Sequence, residues 1–285
     1  MGPHPRLVVT GGGGQLGRAL GQRRPDVVRI DVEDVDLTDH DAVVGLLTTL
    51  EPEVIIHAGA YTAVDAAEGD PAGAAAVNVE GTAAVAEAAR SLGARLVYVS
   101  TDYVFDGSAT TPYREDHPTG PISVYGATKL EGERAVSALE GHLIVRTSWV
   151  FGEGKNFIGA ILGAAQTRSE LSVVDDQHGR PTYAVDLAGG ILALVEADAS
   201  GVVHLQGGGD PATWADVAEA ALAAAGLATT VRRVTTAEYD AGRPGPIAPR
   251  PAYGVLDCSK AAALGVVLRP WREAVGEYVR GSYST

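Results

Sequence analysis

The chain has 285 residues, 46% hydrophobic and 20% charged, with a formal net charge of −14. That balance excludes nucleic acid as the partner, because its phosphates demand clustered Lys and Arg. No apolar run reaches the ~18 residues of a membrane span, the N-terminal stretch lacks an apolar signal core, and the single Cys258 excludes an internal disulfide framework; a soluble, cytoplasmic protein is expected, with no membrane contact.

"RLVVT" (6–10) opens the chain as a short β-branched apolar run, and glycines follow directly. In "VVTGGGGQLGRAL" the glycines fall at Gly11, Gly14 and Gly17, between a predicted strand and a predicted helix. Glycine permits a tight turn and close approach to a pyrophosphate, and the helix N-terminus offers free N–H groups. Gln15 and Leu16 lie inside this loop-to-helix turn. The second run, "DVVRIDV" (26–32), carries Asp31 twenty residues after Gly11, where an acid can hold an adenosine ribose hydroxyl. Asp31 favours NADH by repelling a 2′-phosphate, while the nearby Arg29 keeps NADPH open. In "DVDLTD" (34–39), Asp39 reads equally as a helix N-cap.

"EVIIHA" (53–58), "RLVYVS" (95–100) and "HLIVRTS" (142–148) are three more apolar runs, separated by alanine-rich helical stretches at 78–92 and 126–139. Strands alternating with helices predict βαβ units and a parallel sheet covered on both faces. Asn78 serves either to brace a site or to cap a helix. Ser100 and Thr101 end the fourth run, where hydroxyls point into the crevice of an open α/β sheet; for Ser100, strand-end turn chemistry is an equal reading.

"SVYGATKLEGE" (123–133) places Tyr125 four residues before Lys129, one of only three lysines among 22 basic residues. On a helix, i and i+4 share a face. Pro121 suits the helix entry, and no Ser or Asp cap is evident. An ammonium beside a tyrosine lowers the phenol pKa, which lets the pair donate a proton to a carbonyl as a hydride arrives. Lys129 is therefore read as the tuner of Tyr125, with a second hydrogen bond to a cofactor ribose, and Thr101 as the carbonyl contact.

Beyond residue 150 the pattern loosens, with helices expected at 155–167, 183–197 and 213–226, the last capped by Thr213 and stopped by Gly226. "YDAGRPGPIAPRPAYG" (239–254) reads as a loop. Asp175, Asp176 and the seven histidines show no ligand spacing and read as structural or solvated, so no metal is predicted.

Taken together, "GGGGQLG", "AYTAVDAAE", "STDYVFDG", "PISVYGATKLEGE", "RTSWVFGEGKNF", "DDQHGRPTYAVDLA" and "RPAYGVLD" resemble the dTDP-4-dehydrorhamnose reductase family of extended short-chain dehydrogenases/reductases. The resemblance covers nearly the whole chain. It implies an α/β, Rossmann-type doubly wound parallel sheet with a smaller C-terminal substrate-binding lobe. The expected division is 1–148 plus about 171–200 for the dinucleotide domain and 149–170 plus 201–285 for the lobe. The implied reaction is reduction of dTDP-4-dehydro-β-L-rhamnose to dTDP-L-rhamnose with NADPH or NADH. Carried onto this chain, Tyr125 donates the proton; Asp36 and Leu37 lie near the adenine; Ala58, Gly59, Ala60 and Tyr61 contact the cofactor. Thr62, Val64, Asp102, Val104, Phe105 and Trp149 face the sugar, Asn156 and Phe157 start the lobe helix, and Arg250 clamps the pyrophosphate or is a surface arginine of its loop. Some family members hold magnesium through acids in a dimer contact near the first helix. Here "QLGRALGQRRPD" has no acid before Asp26, so that dimer is not expected, and the chain is read as a monomer or another homodimer. Alternatives are a reductase of another dTDP-4-keto-6-deoxysugar and a non-catalytic dinucleotide-binding subunit, as in the regulatory subunit of methionine adenosyltransferase. A dehydratase is disfavoured because Thr101-Asp102-Tyr103 lacks the Asp–Glu pair usual after that threonine.

Overall fold

A computed structural model describes residues 6–283. Five of its strands fall on the apolar runs: β1 (Leu7–Thr10), β2 (Val28–Ile30), β3 (Val54–His57), β4 (Arg95–Thr101) and β5 (Leu143–Thr147). Alternate residues feed two cores. Leu7 and Val9 join Ile56, Val97 and Val145 under one helical layer, while Val8 joins Ile55, Leu96 and Ile144 under the other. This is why the strands read as unbroken apolar runs rather than as alternation. The longer helices of this half are α1 (Gln15–Arg23), α2 (His40–Leu50), α3 (Thr82–Leu92) and α4 (Val124–Ser137). Asp39 caps α2, accepting from the Ala42 N–H. Ser123 caps α4, accepting from the Gly126 N–H, a cap that the sequence reading missed.

The expected division of the chain needs two corrections. Gly201–His204, expected in the lobe, pairs parallel with Leu143–Arg146 as the edge of the main sheet. Conversely, Glu170–Val174 pairs parallel with Thr230–Val234 in a separate two-stranded sheet of the lobe. The first follows from packing: α6 (Ala184–Glu196) lies on the main sheet with Leu187 and Ile191 in its core, and the chain leaving it re-enters at the sheet edge. The complete main-sheet order is 201–204, β5, β4, β3, β1, β2, all parallel.

The lobe core gathers α5 (Phe157–Ala165), α7 (Trp214–Ala224) and a final helix Trp271–Tyr283. Thr213 closes a capping box with Asp216, and Gly226 takes φ +66° just past α7, as its sequence predicts. Asp175 accepts from Thr213 and Arg233, and Asp176 from Thr236, so both acids bind lobe segments together. No helix among the described residues is long and apolar enough to cross a membrane.

Candidate active site

The chain order reverses between β1 and its neighbours β2 and β3, which opens a crevice at the strand C-termini. Gly11 follows β1 with φ +69°, and a Cβ there would lie 2.7 Å from the Gly59 nitrogen after β3. At Gly17 a Cβ would lie 2.4 Å from the Gly11 oxygen, so α1 packs against its own entry loop. The N-cap Gly14 offers no side chain, and the first turn of α1 holds no acid. Its N–H groups are thus left for an anion. Beside them Gln15 Oε1 is buried without a protein partner.

Two spaces adjoin this cradle. A pocket of about 380 Å³ is lined by Asp31, Asp36, Leu37 and residues Ala58 to Thr62. Asp31 accepts from the Gly13 and Val32 N–H groups, and Asp36 accepts from the Thr38 N–H and hydroxyl, which hold its carboxyl below the usual range. The Arg29 guanidinium donates to the Gly12 carbonyl at 3.1 Å, outside the lining of this pocket. A larger cleft of about 650 Å³ runs from Gly11, Gly14, Leu16 and Gly17 past Ser100, Thr101, Asp102, Tyr125 and Lys129 to Trp149 and Trp214.

In that cleft the three predicted catalytic side chains meet. Burial pushes the Tyr125 hydroxyl up to about 12, against the pull of the neighbouring Thr101 hydroxyl. Burial also lowers Lys129 to about 7; its ammonium donates to the Val99 carbonyl at 2.8 Å and stands 4.0 Å over the Tyr98 ring. Desolvation outweighs the other influences on both groups, raising the tyrosine and lowering the lysine. Asp102, wholly buried beside Thr101, rises to about 7 for the same reason.

Supporting contacts resolve two open readings. Asn78 sits in a π-helical turn, Ala76–Gly81, and braces rather than caps: its Oδ1 accepts from the Tyr61 N–H at 2.8 Å and its Nδ2 donates to Thr128. Ser100 is committed to Glu133, which also makes a buried bidentate pair with Arg146 at 2.8 and 2.7 Å. His57 bridges Thr10 and Thr82, and burial holds it neutral, at about 3.

Thr62, Val64, Asp102 and Trp149 line the cleft as expected, but three predicted sugar contacts do not. Val104 and Phe105 are fully buried, because a 3-10 turn at Asp102–Val104 directs them into a small core with Tyr113 and Leu256. Phe105 stacks on Tyr113 at 4.2 Å. Asn156 caps α5, accepting from the Gly159 N–H, and spends its amide on Gly152, Gly154 and the Tyr278 hydroxyl.

Trp149 takes φ +46° and stacks on Trp214 at 3.8 Å. A non-glycine residue held there marks stored strain of the kind that collects at ligand sites. Trp214 also lines a neighbouring cavity of about 250 Å³, with Phe157, Gln177, Tyr239, Arg243 and Arg250. Sequence reasoning found Arg250 here but missed Trp214, Tyr239 and Arg243. The first of these was visible only as a residue of an amphipathic helix, and the others lie near or in an irregular loop.

The family model described as "RmlD substrate binding domain" matches residues 5–283. The chain belongs to that family. A dTDP-4-dehydrorhamnose reductase of Streptomyces griseus is 42% identical over 96% of this chain and 93% of its own length. A dTDP-4-keto-6-deoxy-D-glucose reductase of Streptomyces niveus is 40% identical over 95% of both chains. Among solved structures, a dTDP-4-dehydrorhamnose reductase of Bacillus anthracis in complex with NADP superposes with a TM-score of 0.91, at 34% identity, covering 98% of this chain and 100% of that one.

Proposed function

We propose that this chain is an NAD(P)H-dependent oxidoreductase that reduces the 4-keto group of a dTDP-4-keto-6-deoxysugar, with dTDP-4-dehydro-β-L-rhamnose as the substrate and dTDP-L-rhamnose as the product. The observation that carries this reading is a juxtaposition. Trp214 lines both the cleft that holds the glycine cradle with Thr101, Tyr125 and Lys129 and a neighbouring cavity of aromatic residues and arginines. The cradle fits a dinucleotide: glycines where a Cβ would clash and open first-turn N–H groups. A nicotinamide coenzyme bound there supplies the hydride.

The chain's own residues manage the proton. Tyr125, held neutral by burial, keeps a proton at its phenolic oxygen until negative charge develops on the substrate oxygen. Thr101 is placed to hydrogen-bond the same oxygen. Lys129 is held by the Val99 carbonyl within the cleft wall, and an anion nearby raises its proton affinity and with it its charge. Arg243 and Arg250 supply the cationic contacts for the substrate's diphosphate, while Trp214, Phe157 and Tyr239 offer flat surfaces to its base. A cytoplasmic monomer or homodimer suits this chemistry.

The test is coenzyme oxidation with dTDP-4-dehydro-β-L-rhamnose, with dTDP-4-keto-6-deoxy-D-glucose in parallel, since a relative's name carries that second substrate. Wild-type turnover is expected with the first, and Tyr125→Phe should lose about 10²- to 10⁴-fold in kcat with coenzyme binding intact. Full turnover by the variant would remove Tyr125 as the acid. Faster turnover of the second sugar would reassign the substrate, and coenzyme binding without any turnover would favour a non-catalytic subunit.

A further inference from the structure

A single carboxylate ties the coenzyme half to the loop that carries both arginines of the nucleotide cavity. Asp65 lies in the short helix Val64–Gly69, next to the cleft-lining Val64. Its Oδ1 accepts from Arg250 Nη2 at 2.8 Å and from the Ala248 N–H at 3.0 Å. Its Oδ2 accepts from Arg243 Nη2 at 3.1 Å. Partial burial pushes this carboxyl up, yet the Ala248 N–H and the two guanidiniums hold it below the usual carboxylate range.

Beyond a turn bond from the Arg243 N–H to the Asp240 carbonyl and the burial of Ala248, main-chain pairing does little to define the loop's course. Residues 241–250 form no regular secondary structure, and Gly242 and Gly245 take φ +78° and +87°. A segment without a hydrogen-bonded ladder keeps its conformational entropy unless side-chain contacts fix it. Asp65 supplies three such contacts at once, one of them to main chain.

We propose that Asp65 is a positioning residue for the substrate's diphosphate: it latches the 241–250 loop onto the coenzyme half, so that Arg243 and Arg250 are presented to the cavity together. The inference rests on the sugar-nucleotide reading of that cavity. An acid next to two arginines has a second conceivable role, that of a rival anion which the diphosphate must displace. The geometry favours the latch. A rival has no need of the Ala248 N–H, and each guanidinium has five N–H donors, of which Asp65 engages one by hydrogen bond. Arg243 further pairs with Asp240 at 2.7 Å, and Arg250 donates to the Ala248 carbonyl, contacts that steady the heads while leaving donors free.

The experiment uses the full chain and three forms: wild type, Asp65→Asn, which keeps the shape and removes the charge, and Asp65→Glu, which restores it. Titration with dTDP and separately with NADH is paired with steady-state kinetics and with amide hydrogen exchange. Asp65→Asn should raise the Kd for dTDP and the KM for the keto-sugar by about tenfold, with the NADH Kd unchanged, kcat less affected, and faster exchange confined to 241–250. Asp65→Glu should recover part of the loss. Unchanged or tighter dTDP binding by Asp65→Asn overturns the latch, and so does a parallel loss of NADH binding, which would mark general support of the fold. If wild type binds NADH but not dTDP, the sugar-nucleotide reading fails and the latch with it; normal wild-type dTDP binding with an unaffected variant removes the latch alone.

Discussion

The glycine cradle and the neighbouring arginine-lined cavity are built on opposite principles. The cradle offers mainly main chain: the turn after β1, the first N–H groups of α1, and the Ala58–Gly59 strand end. The cavity offers side chains from separate segments, with Phe157 and Trp214 on helices and Arg243 and Arg250 on a loop held by a distant carboxylate. Main-chain recognition leaves a local imprint, because only glycine fits where the backbone must approach closely. Side-chain recognition leaves almost none, because an arginine or tryptophan there looks like any other until the fold brings it in.

Gly17→Ala gives the sharpest break in that comparison. A Cβ 2.4 Å from the Gly11 oxygen and 2.6 Å from Gly12 Cα forces the helix away from its loop. Overpacking of that kind costs about 1–3 kcal/mol, so the Kd for NADH should rise about 10- to 100-fold, while dTDP binding, measured by titration, stays near wild type. A variant that loses both ligands equally would show that the cradle and the cavity are not independent. Trp214→Ala should do the reverse. It removes the stack on Trp149 and the tilted contact with Phe157. Aromatic pairs contribute about 0.5–1.5 kcal/mol, so the KM for the sugar nucleotide should rise about 3- to 10-fold, with the KM for NADH unmoved.

Acid should separate the halves more gently. His57 and His204 are buried in the main-sheet half and held neutral by desolvation, each at about 3. Their folded values lie below the unfolded one, so the stability they contribute is complete above about 6.5 and is lost as pH falls toward 3. Asp102, raised to about 7, acts in the opposite sense but is one group against two. In the lobe, burial pushes Asp216 up, but the Thr213 N–H and hydroxyl and Arg233 together hold it below the ordinary range. Its contribution persists until pH falls below its unfolded value near 4. Hydrogen exchange at pH 5, corrected for intrinsic rates, should therefore rise in Val54–His57 and Gly201–His204 before it rises in Trp214–Ala224. Uniform acceleration would contradict that ordering.

The Thr101, Tyr125 and Lys129 constellation was legible because its signal is local in one respect and positional in another. Tyr125 and Lys129 share a helix face at i and i+4, and Thr101 ends a strand that any βαβ reading sends toward the crevice. That Val104 and Phe105 enter a core was not legible because a three-residue turn after that strand decides which side chains face the cleft, and no composition signal marks such a turn. The electrostatics of the pair were not legible for a related reason. A chemical argument pairs Lys129 with Tyr125, but burial depth decides the proton affinities of both, and burial belongs to the whole fold.

Sequence alone therefore determined the parallel α/β class, the glycine cradle with Asp31 beside it, and the Thr101, Tyr125 and Lys129 constellation. Each rests on periodicity, steric exclusion or a spacing within one element, interactions that span a few residues. Tertiary structure decided which strand closes the sheet edge, which aromatic residues flank the nucleotide cavity, and that Asp65 meets Arg243 and Arg250 from 178 and 185 residues away. Contacts of that range depend on how packed layers bring remote segments together, and a side chain's partner is then set by geometry that no local pattern encodes.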